Sequence, residues 1–364
     1  RHMSGGPLPG WDPSDLLDVR DLSVRFSDGE AWVSAVDGLN LVLRRGETVG
    51  ILGESGAGKS VTARAIMGLL PPAAWVSGSV RLWGNELMGL SDRQLRHYRG
   101  TEIAMVFQDA SRSLNPTIRI GSQIAETLRV NLPIGRRAAD ERAVEWLERV
   151  GVAEPRARSR ELPYRLAPLA RQKAMVAMAV ACGPKLLIVD EVGSSLDRSE
   201  RVEMATLLRD LQQELDMAMI VIGHELGPEL SSTDRVLALC GGQVLERGPV
   251  TTLRTEPRAP YTRLLLNSSA VLTRKAPPPP PQPPVRPARL FSRRMPLRQL
   301  ATTRPPARAQ VRPESPRDTG CAFAGRCPNT QAHCREAIPP LKEYEYGHEW
   351  ACWFPLDPPA PADG

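Results

Sequence analysis

Residues 53–60 read Gly-Glu-Ser-Gly-Ala-Gly-Lys-Ser, directly after the apolar run Thr48 to Leu52 and ahead of an amphipathic stretch from Val61 to Leu70. Glycine, four residues, then Gly-Lys-Ser between a strand and a helix is the spacing of a P-loop. Gly53, Gly56 and Gly58 let the backbone curl, so that successive N–H groups from Glu54, Ser55, Ala57 and on to Val61 point at the phosphates of a nucleotide. The following helix adds the positive end of its dipole. Lys59 is expected to reach the β- and γ-phosphates, and Ser60 to place a hydroxyl on Mg²⁺. A strand, a phosphate loop and a helix in this order commit the chain to an α/β sheet.

Many enzyme classes share a P-loop, so the rest of the nucleotide site must discriminate. Lys185 to Glu191 reads KLLIVDE, a buried parallel strand that delivers Asp190 and Glu191 at its C-terminal end. Asp190 suits Mg²⁺ held through water, and Glu191 suits polarising the water that attacks the γ-phosphate. His224 follows a third apolar strand, Met219 to Ile222, within reach of the γ-phosphate. Gln108, after the strand Ile103 to Phe107, is an amide that suits sensing Mg²⁺ and the attacking water.

The order of these motifs resembles the ATP-binding subunits of ABC transporters over roughly residues 15–270. GESGAGKS is similar to Walker A, Gln108 in VFQDA to the Q-loop, KLLIVDE to Walker B, Ser195-Leu196-Asp197 to the D-loop and His224 to the switch histidine. Phe26, in the strand Leu22 to Phe26, stands where the resemblance implies an aromatic stacked on adenine, although a core phenylalanine fits there as well. Phe107 to Ile124 and Pro257 to Leu266 resemble the oligopeptide/dipeptide permease branch, in which the chain continues into a Cys-bearing extension. The fold implied is a P-loop NTPase of the ABC type, a RecA-like core with antiparallel β and helical subdomains. The helical one, at about residues 110–180 with helices at Ala138 to Val150 and Ala170 to Ala181, docks on membrane subunits in the family, with Asp109 to Ile120 at the contact.

Cys321, Cys327, Cys334 and Cys352 stand at intervals of five, six and seventeen residues in a Pro-interrupted segment, 319–356, with few large apolar residues. Such a segment needs a staple to fold. Met3 is followed by SGGPLPGWDPSDLL without the apolar core of a signal peptide, and Arg1-His2 reads as a cloning remnant. A cytosolic setting is therefore expected, and reducing conditions there disfavour disulfides. Four thiolates suit zinc or an iron-sulfur cluster. The lack of close Cys-x-x-Cys pairs favours the cluster, and the resemblance implies 4Fe-4S. His333 and His348 read as solvated neighbours, and Cys182 and Cys240 as small buried residues.

No stretch of the 364 residues has the apolar length of a bilayer span, so a translocation path is expected on other chains. Residues 271–320 carry ten Arg and one Lys against Glu314 and Asp318, a balance of +9 that exceeds the +6 of the whole chain. The basic character thus belongs to a Pro/Arg-rich linker, 271–318, expected to be extended and in part polyproline II, either a solvated spacer or a contact for anionic headgroups. Nucleic acid is not expected as a partner, because the linker offers only Phe291 for stacking.

The departure from the family lies at its signature, Leu-Ser-Gly-Gly with a glutamine three positions on. Here the chain has Leu166, Ala167, Pro168, Leu169 and Ala170, then Arg171 and Gln172. In the family dimer this helix N-terminus faces the ATP held by the partner's P-loop. Ala167 lacks the hydroxyl, Pro168 lacks the N–H, and Leu169 adds bulk where glycine allows close approach, although proline suits a first helical turn. Walker B also continues as Val192-Gly193 where the family has Pro-Thr. The expectation is an ATPase of an importer, for peptides by resemblance, bound to the cytoplasmic side of the membrane. It pairs with a second ATPase subunit carrying an intact signature, with two transmembrane permease subunits and an extracytoplasmic substrate-binding protein. A non-hydrolytic regulatory subunit and an importer of another solute are the alternatives. A soluble ABC protein of repair or translation would need two cassettes, and the chain shows no internal repeat.

Overall fold

The structure is a computed structural model that describes residues 12, 14–27, 31–193, 195–273, 319–345 and 347–357. Residues 1–11 and most of the Pro/Arg-rich linker, 274–318, lie outside the described residues, as do the expectations placed on them. Twelve strands appear among the described residues: β1 (Asp15–Ser27), β2 (Trp32–Arg44), β3 (Thr48–Leu52), β4 (Trp75–Leu82), β5 (Asn85–Glu86), β6 (Ile103–Val106), β7 (Leu186–Asp190), β8 (Ala218–Gly223), β9 (Arg235–Cys240), β10 (Gln243–Pro249), β11 (Lys342–Glu345) and β12 (His348–Trp350).

They form two sheets. A four-stranded antiparallel sheet has the order β2-β1-β4-β5, and an eight-stranded sheet has the order β11-β12-β10-β9-β3-β8-β7-β6. The central run β9-β3-β8-β7-β6 is parallel. Strands covered on both faces read as unbroken apolar runs, which is why TVGIL and LLIVD are buried at every position. In β2, by contrast, Leu39, Leu41 and Leu43 are buried while Asn40, Val42 and Arg44 are exposed, the alternation of a sheet with one wet face.

The period-2 geometry divides the core in two. Leu186 and Ile188 of β7, with Ile220 and Ile222 of β8, join the apolar side chains of the antiparallel sheet. Leu187 and Val189, with Met219 and Val221, face the opposite way into a second cluster. That cluster is built with the helices α2 (Ile120–Asn131), α3 (Arg136–Arg149), α4 (Pro168–Val180) and α5 (Arg198–Leu215). The helix after the P-loop, α1 (Lys59–Ile66), packs into the first cluster through Ala63, Ala65 and Ile66.

The segment carrying the four late cysteines does not stand apart from this sheet. β12 pairs antiparallel with β10, and β11 with β12, so residues 342–345 and 348–350 extend the central sheet at its edge. Phe323 belongs to the helix-side core cluster, together with Tyr261 and Leu265 of α6 (Pro260–Thr273).

Candidate nucleotide site

Parallel strands that share a direction present their C-terminal ends on one edge, where α/β folds place their ligands. The P-loop leaves β3, Asp190 ends β7, Glu191 follows it, His224 follows β8 and Gln108 comes two residues after β6. The order β3-β8-β7-β6 therefore sets side by side residues drawn from positions 53 to 224.

Steric demand fixes the loop glycines. Gly58 has φ +103°, and a Cβ there would lie 2.2 Å from the carbonyl oxygen of Ala35. A Cβ on Gly53 would lie 2.3 Å from the carbonyl oxygen of Leu239. The loop curls against β9 and β2, and no side chain fits at either point. Lys59 is buried and folds back over the loop, donating from Nζ to the carbonyls of Gly53 (2.8 Å) and Glu54 (2.9 Å).

Glu191 is the convergence point. Its Oε1 lies 3.1 Å from Lys59 Nζ, its Oε2 accepts from Gln108 Nε2 at 2.8 Å, and His224 Nδ1 lies 3.9 Å from Oε2. Its backbone has φ +48°, a left-handed conformation that non-glycine residues seldom hold, and this turns the carboxylate off the end of β7 toward the lysine. Ser60 Oγ donates to Asp190 Oδ1 at 2.9 Å. Burial pushes the Asp190 carboxyl upward, and the Ser60 hydrogen bond opposes this in part. A buried carboxylate beside a hydroxyl is a donor set suited to Mg²⁺, whose charge offsets that desolvation.

The remaining positions are placed as follows. Phe26 is half-buried against the antiparallel-sheet core. Leu166 is buried, Ala167 is the exposed N-cap of α4 with no side-chain cap, Pro168 is its first residue, and Leu169 and Ala170 pack on the helix-side core. Proline therefore opens the helix as the sequence suggests. In the stretch similar in sequence to a D-loop, Leu196 is buried and Asp197 caps α5 in a reciprocal box with Glu200. Ser195 lies in the turn before it.

Cys321, Cys327, Cys334 and Cys352 line one mostly apolar pocket with Phe323 and Trp353. Yet among the described residues no group of three or more His, Cys, Asp or Glu is arranged to hold a metal ion. Burial pushes the thiols of Cys321 and Cys327 up, and that of Cys352 to about 11. The four side chains thus share one pocket without forming a ligand set for a 4Fe-4S cluster or zinc. His348 corrects the sequence reading. It is buried, not solvated, and its Nε2 lies 2.7 Å from Oε1 of the fully buried Glu246. His333 is exposed, its ring tilted against that of Trp353 with centroids 4.4 Å apart. Cys240 is buried as expected, whereas Cys182 is half-buried with its Sγ near the Thr127 carbonyl.

Residues that sequence reasoning missed surround the site. Arg201 pairs with Glu225 and, at 3.0 Å, with Glu229 beside Glu191 and His224. Arg326 and Tyr261 reach the P-loop from the C-terminal side. Only the position of Arg326 next to Cys327 hinted at a role, and nothing in the sequence links it to residue 54.

Comparison with known proteins places these features in a family. Residues 36–194 match the ABC transporter family, and residues 245–334 match the oligopeptide/dipeptide transporter C-terminal region. The chain is 39% identical to a probable peptide ABC transporter ATP-binding protein of Sinorhizobium fredii, covering 93% of this chain and 94% of that one. It is 36% identical to the oligopeptide transport ATP-binding protein OppD of Escherichia coli, covering 96% of each. Against OppD of Bacillus subtilis it is 42% identical over 71% of this chain and 72% of that one. In fold it is similar to the dimeric ATP-binding cassette MJ0796 bound to ADP and Pi, at TM-score 0.59 and 24% identity, over 64% of this chain and 98% of that one.

Proposed function

The chain belongs to the ATP-binding subunits of ABC transporters, in their oligopeptide/dipeptide branch, and from that premise we propose that its own P-loop forms a hydrolytic site driving peptide import. It is an ABC ATPase, the ATP-hydrolysing subunit of a transporter. Peptide cargo is favoured because relatives across nearly the full length are named for peptide and oligopeptide transport. None of the described helices is long and apolar enough to cross a membrane, so the pathway is assigned to separate permease subunits fed by an extracytoplasmic binding protein. The chain would act on the cytoplasmic side.

One observation carries the mechanism: Lys59, Gln108 and His224 all lie within 4 Å of the Glu191 carboxylate. Lys59, held by two loop carbonyls, presents its charge to the β- and γ-phosphates. Glu191 accepts the proton of the attacking water, Gln108 orients that water and the carboxylate, and His224 contacts the γ-phosphate. Phosphate and Glu191 compete for Lys59, so nucleotide entry frees the carboxylate for its water. Bound through Ser60 and Asp190, Mg²⁺ would supply neutralisation of the phosphate oxygens.

The second composite site is proposed to be weak. Ala167 and Pro168 open α4 without a side-chain hydroxyl or a proline N–H for the γ-phosphate of ATP held by a different partner ATPase. That partner would carry the intact signature facing the P-loop of this chain. A regulatory, non-hydrolytic role is favoured by the same substitutions and opposed by the complete set around Glu191. In the assembled transporter, Glu191→Gln should retain ATP and lower turnover by on the order of 10²-fold or more. The equivalent change in the partner should cost far less. Near-normal turnover in Glu191→Gln would reject the hydrolytic assignment, and equal losses would reject the asymmetry.

The four late cysteines are proposed to hold a 4Fe-4S cluster of structural role, with zinc as the alternative. The shared pocket of four thiols supports this, and a bound metal would supply a crosslink with thiolate character. Anaerobic protein should then carry about four irons per chain and absorb near roughly 400 nm; colourless protein with stoichiometric zinc would favour the alternative.

A further inference from the structure

Glu54, the second residue of the P-loop, is tied at every polar group. Its carbonyl accepts from Lys59 Nζ at 2.9 Å. Its N–H donates at 3.0 Å to the hydroxyl of Tyr261, a fully buried side chain that in turn donates at 3.0 Å to the carbonyl of Leu239 in β9. Its carboxylate is gripped by both terminal nitrogens of Arg326, at 3.0 and 2.5 Å. Two of these three ties lead toward the cysteine segment. The ring of Phe323 lies 5.2 Å from that of Tyr261, and the Arg326 guanidinium sits 5.4 Å above the Phe323 ring. The carbonyl of Phe323 accepts the N–H groups of Arg326 and Cys327, each at 3.0 Å.

We propose that Tyr261, Phe323 and Arg326 are positioning residues for the ATP phosphates, and that through them an ordered cysteine segment and a phosphate-ready P-loop favour each other. The inference rests on the P-loop being the ATP site. None of the three residues need touch ATP. They fix the Glu54 peptide, and that peptide fixes Lys59 from one side. The Tyr261–Phe323 contact is buried and carries most of the coupling, whereas the Arg326–Glu54 pair is partly exposed and contributes less. The 274–318 stretch is thus bypassed: communication runs through packed side chains and not along the chain. Because coupling between two binding or ordering events is reciprocal, the factor by which segment order raises ATP affinity equals the factor by which ATP protects the segment.

The test uses the full chain. Mg-ATP affinity is measured by titration with a non-hydrolysable analogue. Labelling of each of the four late cysteines by a maleimide is followed by mass spectrometry, with and without the analogue. Opening of the segment limits labelling of free thiols, and metal-bound ones must in addition leave the metal. Tyr261→Phe should weaken binding by about five- to tenfold, since the Glu54 N–H and Leu239 carbonyl lose their shared partner. Arg326→Ala should weaken it by about two- to fivefold, with Arg326→Lys recovering part of the loss. Turnover at saturating ATP should change little in the assembled transporter, separating a KM effect from a kcat effect. In the wild-type chain the analogue should slow labelling at residues 321–352 severalfold, and in Tyr261→Phe this protection should shrink. Arg326 is exposed enough that its variants test the idea even if Tyr261→Phe folds poorly. Unchanged affinity in the Arg326 and Tyr261 variants, together with labelling indifferent to nucleotide, would overturn the proposal. If Lys59→Ala still abolished binding, the ATP site itself would stand.

Discussion

Replacing Glu246 by Ala should detach the C-terminal strands from the central sheet. Glu246 is fully buried in β10, where Oε1 accepts from the N–H of Arg258 at 2.7 Å and shares a 2.7 Å hydrogen bond with His348 Nε2, and Oε2 accepts from the N–H of Ala259 at 3.0 Å. Alanine leaves three polar groups without their partner, and each buried orphan costs about 1–3 kcal/mol. Water entering the vacated space recovers part of this, so the expected loss is about 3–5 kcal/mol, the range for breaking a buried charged network. His348→Ala removes one of the three contacts and should cost about 1–2 kcal/mol. Arg247→Ala breaks the more exposed bidentate pair with Glu349, at 2.8 and 2.7 Å, and should cost at most about 1 kcal/mol. The assay is urea unfolding followed by tryptophan fluorescence, since Trp350 and Trp353 lie in the affected segment. Limited proteolysis at residues 319–357 provides the second measure. A Glu246→Ala loss below about 1 kcal/mol, or the three variants ranking in another order, would refute the view that buried carboxylate contacts anchor this segment.

Asp190→Asn should raise thermal stability while abolishing Mg-dependent hydrolysis. Burial raises its carboxyl, so its favourable contribution is present at pH below the unfolded value and is lost as pH rises through the folded value; asparagine removes that dependence. A variant that melts lower than the parent at neutral pH would count against this reasoning. Ala167→Ser supplies a hydroxyl at an N-cap that has no side-chain cap, so it should stabilise the chain by about 0.5–2 kcal/mol and raise turnover at the partner's P-loop. Stability gained without any rise in turnover would separate the two roles. For metal-free protein, alkylation of Cys352 should climb about tenfold per pH unit from pH 7 toward its value of about 11. A plateau near pH 8.5 would show an ordinary exposed thiol.

Much of the core was legible because its signals are local. The apolar runs at Thr48 to Leu52, Leu186 to Val189 and Met219 to Ile222 are strands β3, β7 and β8 to within a residue or two. The glycine spacing of 53–60 states its own geometry, since Gly58 admits no Cβ. What only the tertiary structure decided is how these ends meet. That Glu191 leaves the strand in a left-handed turn and gathers Lys59, Gln108 and His224 follows from strand order, which no periodicity encodes. The C-terminal segment is the clearest case. Its sequence shows four cysteines and a proline-rich approach, the marks of an appendage, yet Glu246 and His348 meet 102 residues apart. Arg326 meets Glu54 across 272. A buried carboxylate and a sheet edge with unpaired backbone groups demand partners. Sequence names that demand, but only the folded chain shows which distant residue meets it.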